Sequence, residues 1–136
     1  MSRLYMLDTN IVSDLVRNPQ GPVMRHIVRV RAEAVCVSII TAAELRYGCA
    51  RKGSAKLLAN VEAILGSIQV LALDVPAVAE YGGIRAELEA AGKPIGPNDL
   101  LIAAHAYSLG AILVTANTGE FTRIRGLQVE NWLSPA

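Results

Sequence analysis

Leu4-Tyr5-Met6-Leu7-Asp8-Thr9-Asn10-Ile11-Val12-Ser13-Asp14-Leu15-Val16-Arg17 decides the fold class. Its first four residues form a short apolar run and read as a buried strand that ends on Asp8. From Asn10 the period changes: Ile11, Val12, Leu15 and Val16 recur on one helical face through Arg17. A buried strand followed at once by an amphipathic helix is the first half of a βα unit. The alternation continues outward. Asn18–Pro22 is a turn by composition, and Val23–Val30 is a second helix with Val23, Ile27 and Val30 inside. Val35–Ser38 is strand-like, and Thr41 opens a helix to about Arg51. Ser54–Gly66 is helical, and Ile68–Leu73 is a strand. Pro76 sits in the first turn of a helix that runs to Ala91, with Gly92 at its end. After the loop Lys93–Gly96, Pro97 begins a helix through Ser108 that Gly110 terminates. Ala111–Thr115 is a strand, Asn117–Thr122 a loop or short turn, and Leu127–Val129 a last short strand. Strands separated by helices predict a three-layer α/β/α fold with a central, mostly parallel sheet, in a single domain over residues 1–136.

Composition narrows the function classes. The chain has 136 residues, 52% of them hydrophobic and 18% charged, so it can bury a core without disulfides. Its formal net charge of +1 offers no global positive field, so any nucleic-acid binding must rest on a local patch. Cys36 and Cys49 lack CxxC or metal-ligand spacing and read as reduced, partly buried thiols. No signal-peptide core is visible, and no apolar run approaches the roughly 18 residues of a membrane span. A reducing cytoplasm and no membrane partner are expected.

Ligands of parallel sheets bind outside the carboxyl ends of the strands. Asp8 follows the first strand, Glu44 lies in the helix after the second, and Asp99 opens the helix before the fourth. Asn117 follows that fourth strand. The topology can therefore bring all of them to one edge. Each has a bland alternative. Asp8 can be an Asx turn or an N-cap. Glu44 in Thr41-Ala42-Ala43-Glu44 matches a capping box. Asp99, third in Pro97-Asn98-Asp99, can serve the helix dipole. The joint pattern outweighs these. Three carboxylates brought together repel and raise one another's pKa, and a hard divalent cation resolves the conflict. An all-oxygen donor set suits Mg²⁺ or Mn²⁺ rather than Zn²⁺. Arg46, Arg51, Lys52 and Lys56 follow Glu44 and read either as a solvated helix face or as a weak phosphate track, with Tyr47 the one aromatic placed near substrate. His26 and His105 read as hydrogen-bonded structural histidines. There is no Walker loop, GxGxxG or Ser/His/Asp motif.

Four blocks, in order, carry a family resemblance: Leu7-Asp8-Thr9-Asn10; Thr41-Ala42-Ala43-Glu44-Leu45-Arg46-Tyr47-Gly48; Pro97-Asn98-Asp99-Leu100-Leu101-Ile102-Ala103-Ala104-His105-Ala106; and Val114-Thr115-Ala116-Asn117 with Glu120-Phe121. Together they resemble the PIN-domain ribonucleases, more narrowly the VapC toxins of bacterial toxin–antitoxin pairs. The resemblance reaches Val129-Glu130-Asn131-Trp132 and so covers almost the whole chain. It implies a PIN fold and a Mg²⁺- or Mn²⁺-dependent endoribonuclease. It also implies a VapB-type antitoxin whose tail covers the site, and a homodimer within a larger toxin–antitoxin complex. Asp8, Glu44 and Asp99 match the family's acidic metal-binding positions. Thr115 matches a position that supports the site by hydrogen bonding, and Asn10 lies in the first block as a further supporting residue. Asn117 stands where many PIN domains carry a fourth Asp, which removes one negative charge and bears on whether a second metal is held; Glu120 is a nearby carboxylate. The Asn117 variant with Asn98-Asp99 looks most like the branch that cuts the anticodon stem-loop of initiator tRNA.

Three other classes compete. A haloacid-dehalogenase-like phosphohydrolase would use Asp8 as a covalent nucleophile, but such enzymes usually want a second Asp two residues on, where this chain has Asn10. A non-catalytic RNA- or protein-binding module, either PIN-like or a phosphorylatable receiver domain, would bind without cleaving and without regard to chelation. A plain structural partner in a complex would make the carboxylates capping residues, and substituting them would then cost stability and not activity.

Overall fold

A computed structural model describes residues 3–133. Its core is a five-stranded sheet in the order β3-β2-β1-β4-β5, formed by β1 (Tyr5–Leu7), β2 (Val35–Ser38), β3 (Gln69–Leu71), β4 (Ile112–Val114) and β5 (Val129–Glu130). Every neighbouring pair is parallel, with Met6 registered on Cys36 to one side and on Leu113 to the other. The chain starts in the middle at β1, moves outward through β2 to β3, then returns to add β4 and β5 on the far side. The strand order therefore reverses between β1 and β4, and a crevice opens there at the carboxyl ends.

The period-2 geometry of the strands divides the core in two. Leu7, Val35, Val37 and Val114 face helices α1 (Thr9–Arg17), α2 (Pro22–Val30), α3 (Ile39–Lys52) and α4 (Ala55–Ser67), with Trp132 among them. Met6, Cys36 and Leu113 face α5 (Val75–Ala90) and α6 (Pro97–Leu109), joined by Phe121 from the one-turn helix α7 (Thr118–Phe121). The expected three layers are present. Burial on both faces explains why all four residues of β2 are inside. Among the described residues, no helix is long and apolar enough to cross a membrane.

Several boundaries differ from the sequence reading, and one difference matters. The helix expected to open at Thr41 begins two residues earlier, at Ile39, because Ser38 is the cap: its hydroxyl accepts from the Ile40 N–H at 3.1 Å. Glu44 then lies in the second turn, out of reach of the cap, so the capping-box explanation of Glu44 does not hold. The strand expected over Ile68–Leu73 is trimmed to Gln69–Leu71, and the last strand lies at Val129–Glu130 rather than Leu127–Val129. The loop expected over Asn117–Thr122 contains α7. Gly110 ends α6 in the left-handed conformation (φ +65°) that a glycine adopts without steric cost.

Candidate active site

Asp8 forms the floor of the β1/β4 crevice. It is 2% exposed, and its own backbone N–H is held by the Val114 carbonyl at 2.8 Å. Its two carboxylate oxygens have different partners. Oδ1 accepts from the Thr9 N–H at 2.8 Å, which caps α1, and Oδ2 accepts from the Thr115 hydroxyl at 2.8 Å. The cap reading of Asp8 is thus correct for one oxygen only. Thr115, fully buried, also accepts from the Asn117 N–H at 3.1 Å, and Asn10 Oδ1 accepts from the Ala116 N–H at 3.3 Å. These bonds stitch the end of β1 to the end of β4. Asn117 contributes through its backbone, and its side chain is exposed.

Glu44 borders the same crevice from α3, at the seam between the buried Thr41 and Leu45 and the exposed Tyr47 and Arg51. Its Oε1 accepts from the Thr9 hydroxyl, and its Oε2 accepts from Asn98 Nδ2 at 3.3 Å. Asp99 enters at the start of α6, in a first turn that Pro97 initiates and no side chain caps. Burial, then the charges of Asp8, Glu120 and Glu44, and a carboxyl-to-carboxyl contact with Glu120, push its pKa up to about 6. Asp8 is also raised, chiefly by burial, although the bonds from Thr115 and Thr9 pull the other way. Mutual charge effects on both groups mean that Asp8, Glu44, Asp99 and Glu120 share one electrostatic environment.

Glu120 is the residue that sequence reasoning noted as nearby but left outside the site set. Its position depends on α7, anchored by the fully buried Phe121. Glu120-Phe121 beside the Asn117 turn was the available signal. Of the basic residues, Arg46 is tied to Glu62 on α4 at 3.6 Å, away from Glu44. Arg51, Lys52 and Lys56 are exposed. Lys52, Arg17 and Glu44 share a groove of about 190 Å³ with Val16, Leu57 and Val61.

The donor set is all oxygen, and among the described residues none of the ion pairs involves these four carboxylates. No three acidic, histidine or cysteine side chains among the described residues converge on one metal-ligand position, and Glu44 is turned toward Thr9 and Asn98. The chemistry of the set still fits a hard divalent cation. It lacks soft donors, and after burial the like charges of neighbouring carboxylates are among the causes that raise the Asp8 and Asp99 pKa values.

Residues 5–127 match the family described as PIN domain. The chain belongs to the PIN domain family. Within it, the PIN chain is 41% identical over 129 residues to the tRNA(fMet)-specific endonuclease VapC of Shigella flexneri, covering 94% of this chain and 97% of that one. It is 41% identical over 130 residues to ribonuclease VapC2 of Haemophilus influenzae, covering 95% and 98%. The PIN fold superposes on the DNA-bound VapBC structure from Salmonella typhimurium with a TM-score of 0.87 at 38% identity, covering 96% of this chain and 98% of that chain. The promoter-bound VapBC2 structure from Rickettsia felis gives 0.88 at 34% identity, covering 95% and 98%. PIN-domain nucleases generally depend on a divalent metal, in keeping with the oxygen donor set of this crevice.

Proposed function

We propose that this chain is a divalent-metal-dependent endoribonuclease, the toxin of a toxin–antitoxin pair, cutting tRNA in the cytoplasm and so stopping translation. One observation carries the reading: four carboxylates border a parallel-sheet crevice at a topological switch point, near enough for their charges to act on Asp8 and Asp99, with no ion-pair partner among the described residues. The relatives are ribonucleases by name, and the similar structures are VapBC assemblies, which supports an RNA substrate, a VapB-type antitoxin and a larger complex. The homodimer and the initiator-tRNA anticodon loop extend that reading from the family resemblance.

Asp8 and Asp99 would hold a Mg²⁺ or Mn²⁺ ion directly, with Glu44 reaching it through water. When bound, the ion acidifies a water and stabilises charge on the attacked phosphate. The chain's own residues supply orientation. Thr115 and the Thr9 N–H hold both oxygens of Asp8, and Thr9 and Asn98 hold those of Glu44. Burial and the neighbouring carboxylates raise the Asp99 pKa to about 6 in the metal-free chain, and a bound cation would favour its ionised form. In-line attack by water leaves a 5′-phosphate and a 3′-hydroxyl.

The test is incubation of antitoxin-free protein with total tRNA and Mg²⁺, beside Asp8→Asn and Asp99→Asn. Discrete fragments that disappear with EDTA and in both variants support the nuclease, and sequencing their ends names the target. A 2′,3′-cyclic phosphate end excludes the hydrolytic mechanism. RNA binding without cleavage, unchanged by chelation, favours the binding-module reading.

A further inference from the structure

His105 lies in α6, two turns beyond Asn98, and it is 2% exposed. Its Nδ1 is 2.8 Å from the hydroxyl of Ser38, which is itself fully buried and caps α3. The hydrogen of that hydroxyl can be located by exclusion. Ser38 Oγ already accepts from the Ile40 N–H at 3.1 Å, so its own hydrogen needs an acceptor inside the protein. Nδ1 is the acceptor at hand. The ring is therefore neutral with the proton on Nε2, in keeping with a burial that disfavours the charged form. The Ala72 carbonyl, just past β3, and Asp74, the cap of α5, also act on the ring.

The bond has a counterpart. Asn98 Nδ2 to Glu44 Oε2 joins α6 to the second turn of α3, and His105 to Ser38 joins it, two turns further along, to the cap of α3. Asn98 and His105 stand about 10 Å apart along α6, at 1.5 Å per residue. The link at Asn98 is exposed and 3.3 Å long, so water competes with it. The link at His105 is buried and short, and it fixes where α3 begins relative to α6. Since α3 carries Glu44 and α6 carries Asp99, that contact sets the spacing of two carboxylates it does not touch. We infer that His105 is a positioning residue for the cation site, acting through Ser38 on the relative placement of Glu44 and Asp99. The inference rests on the proposal that these carboxylates hold the metal.

The test uses the whole purified chain, with Mn²⁺ affinity read by calorimetry and tRNA cleavage read as separate kcat and KM. His105→Leu keeps the volume and removes the acceptor. His105→Asn can place an oxygen where Nδ1 stands, whereas His105→Gln cannot. Leu and Gln are expected to weaken Mn²⁺ binding about tenfold and to lower kcat at unchanged KM, with Asn close to wild type. Wild-type Mn²⁺ affinity and kcat in a folded His105→Leu, with only a lower melting temperature, would overturn the inference. Should His105→Leu fail to fold, equal Mn²⁺ affinity in the Asn and Gln variants would overturn it. Asp99→Asn is the reference. If that variant binds Mn²⁺ as wild type does, the metal-site reading fails and this inference falls with it. If Asp99→Asn loses Mn²⁺ while His105→Leu and His105→Gln do not, the positioning role alone is refuted.

Discussion

The floor of the crevice and its wall are built on different terms. At the floor, both oxygens of Asp8 are engaged by Thr9 and Thr115, and the strand ends are stitched by Asn10 and Asn117. At the wall, among the described residues, no N–H or O–H group donates to the Asp99 side chain, and its close neighbour is another carboxylate, Glu120. Hydrogen bonds favour the ionised form of Asp8 and offset part of its burial, whereas at Asp99 every named influence opposes the charge. The fold thus holds one carboxylate oriented by donors and leaves the other with burial and like charge as its named surroundings.

Removing either carboxylate erases the comparison and has the largest effect. Loss of an outer-shell partner costs metal sites about 10–100-fold, so Asp8→Asn and Asp99→Asn are expected to lower cleavage by more than ~100-fold in an end-labelled RNA assay. Thr115→Val makes the floor resemble the wall. It strips Asp8 of one donor and the Asn117 N–H of its acceptor, so it should weaken Mn²⁺ binding by about 10-fold or more and cost roughly 1–3 kcal/mol in chemical denaturation. An unchanged Mn²⁺ affinity would show that the Thr115 bond is structural only.

The setting of Asp99 at the wall has a pH signature. The folded pKa of Asp99 is raised from 3.8 to about 6, so folded protein binds this proton more tightly than unfolded chain. Its stabilising contribution is present below pH 3.8 and is lost as pH rises through about 6. After discounting for solvent screening, metal-free protein should lose about 1–2 kcal/mol across that window. Asp99→Asn should abolish this component, and Mn²⁺ should restore stability at pH 7. A metal-free pH–stability curve that is the same for wild type and Asp99→Asn would refute it. The smallest effect is expected for Glu120→Gln, which removes one of several repulsive charges and should move the Asp99 inflection toward lower pH, measured by carboxyl NMR.

Most of this architecture was legible in the order of residues because buried strands and amphipathic helices carry local periods. Leu4–Leu7 before Asp8 and the apolar α6 behind Asp99 needed no tertiary information. Glu44 did: Thr41-x-x-Glu44 imitates a capping box, whereas Ser38 caps the helix through the Ile40 N–H and sets its start at Ile39. Glu120 was harder to place because α7 is a single turn, held by the burial of Phe121 and not by any local pattern. Strand order was illegible for a similar reason. A parallel pairing such as Met6 on Leu113 leaves no mark in either neighbourhood. The grouping of Asp8, Glu44 and Asp99 was expected from their topological positions, and its role in cleavage awaits the variants above.

The central strand also imposes a schedule. β1 is synthesised first, but its neighbour β4 arrives late, and Asp8 and Thr115 are 107 residues apart. At roughly 5–20 residues per second, that gap is about 5–20 seconds of translation. A nascent chain that stops before α6 has Asp8 and Glu44 but neither Asp99 nor the threonine that orients Asp8. If the crevice is a nuclease, the ribosome making it is shielded by topology for most of the time the protein is being made.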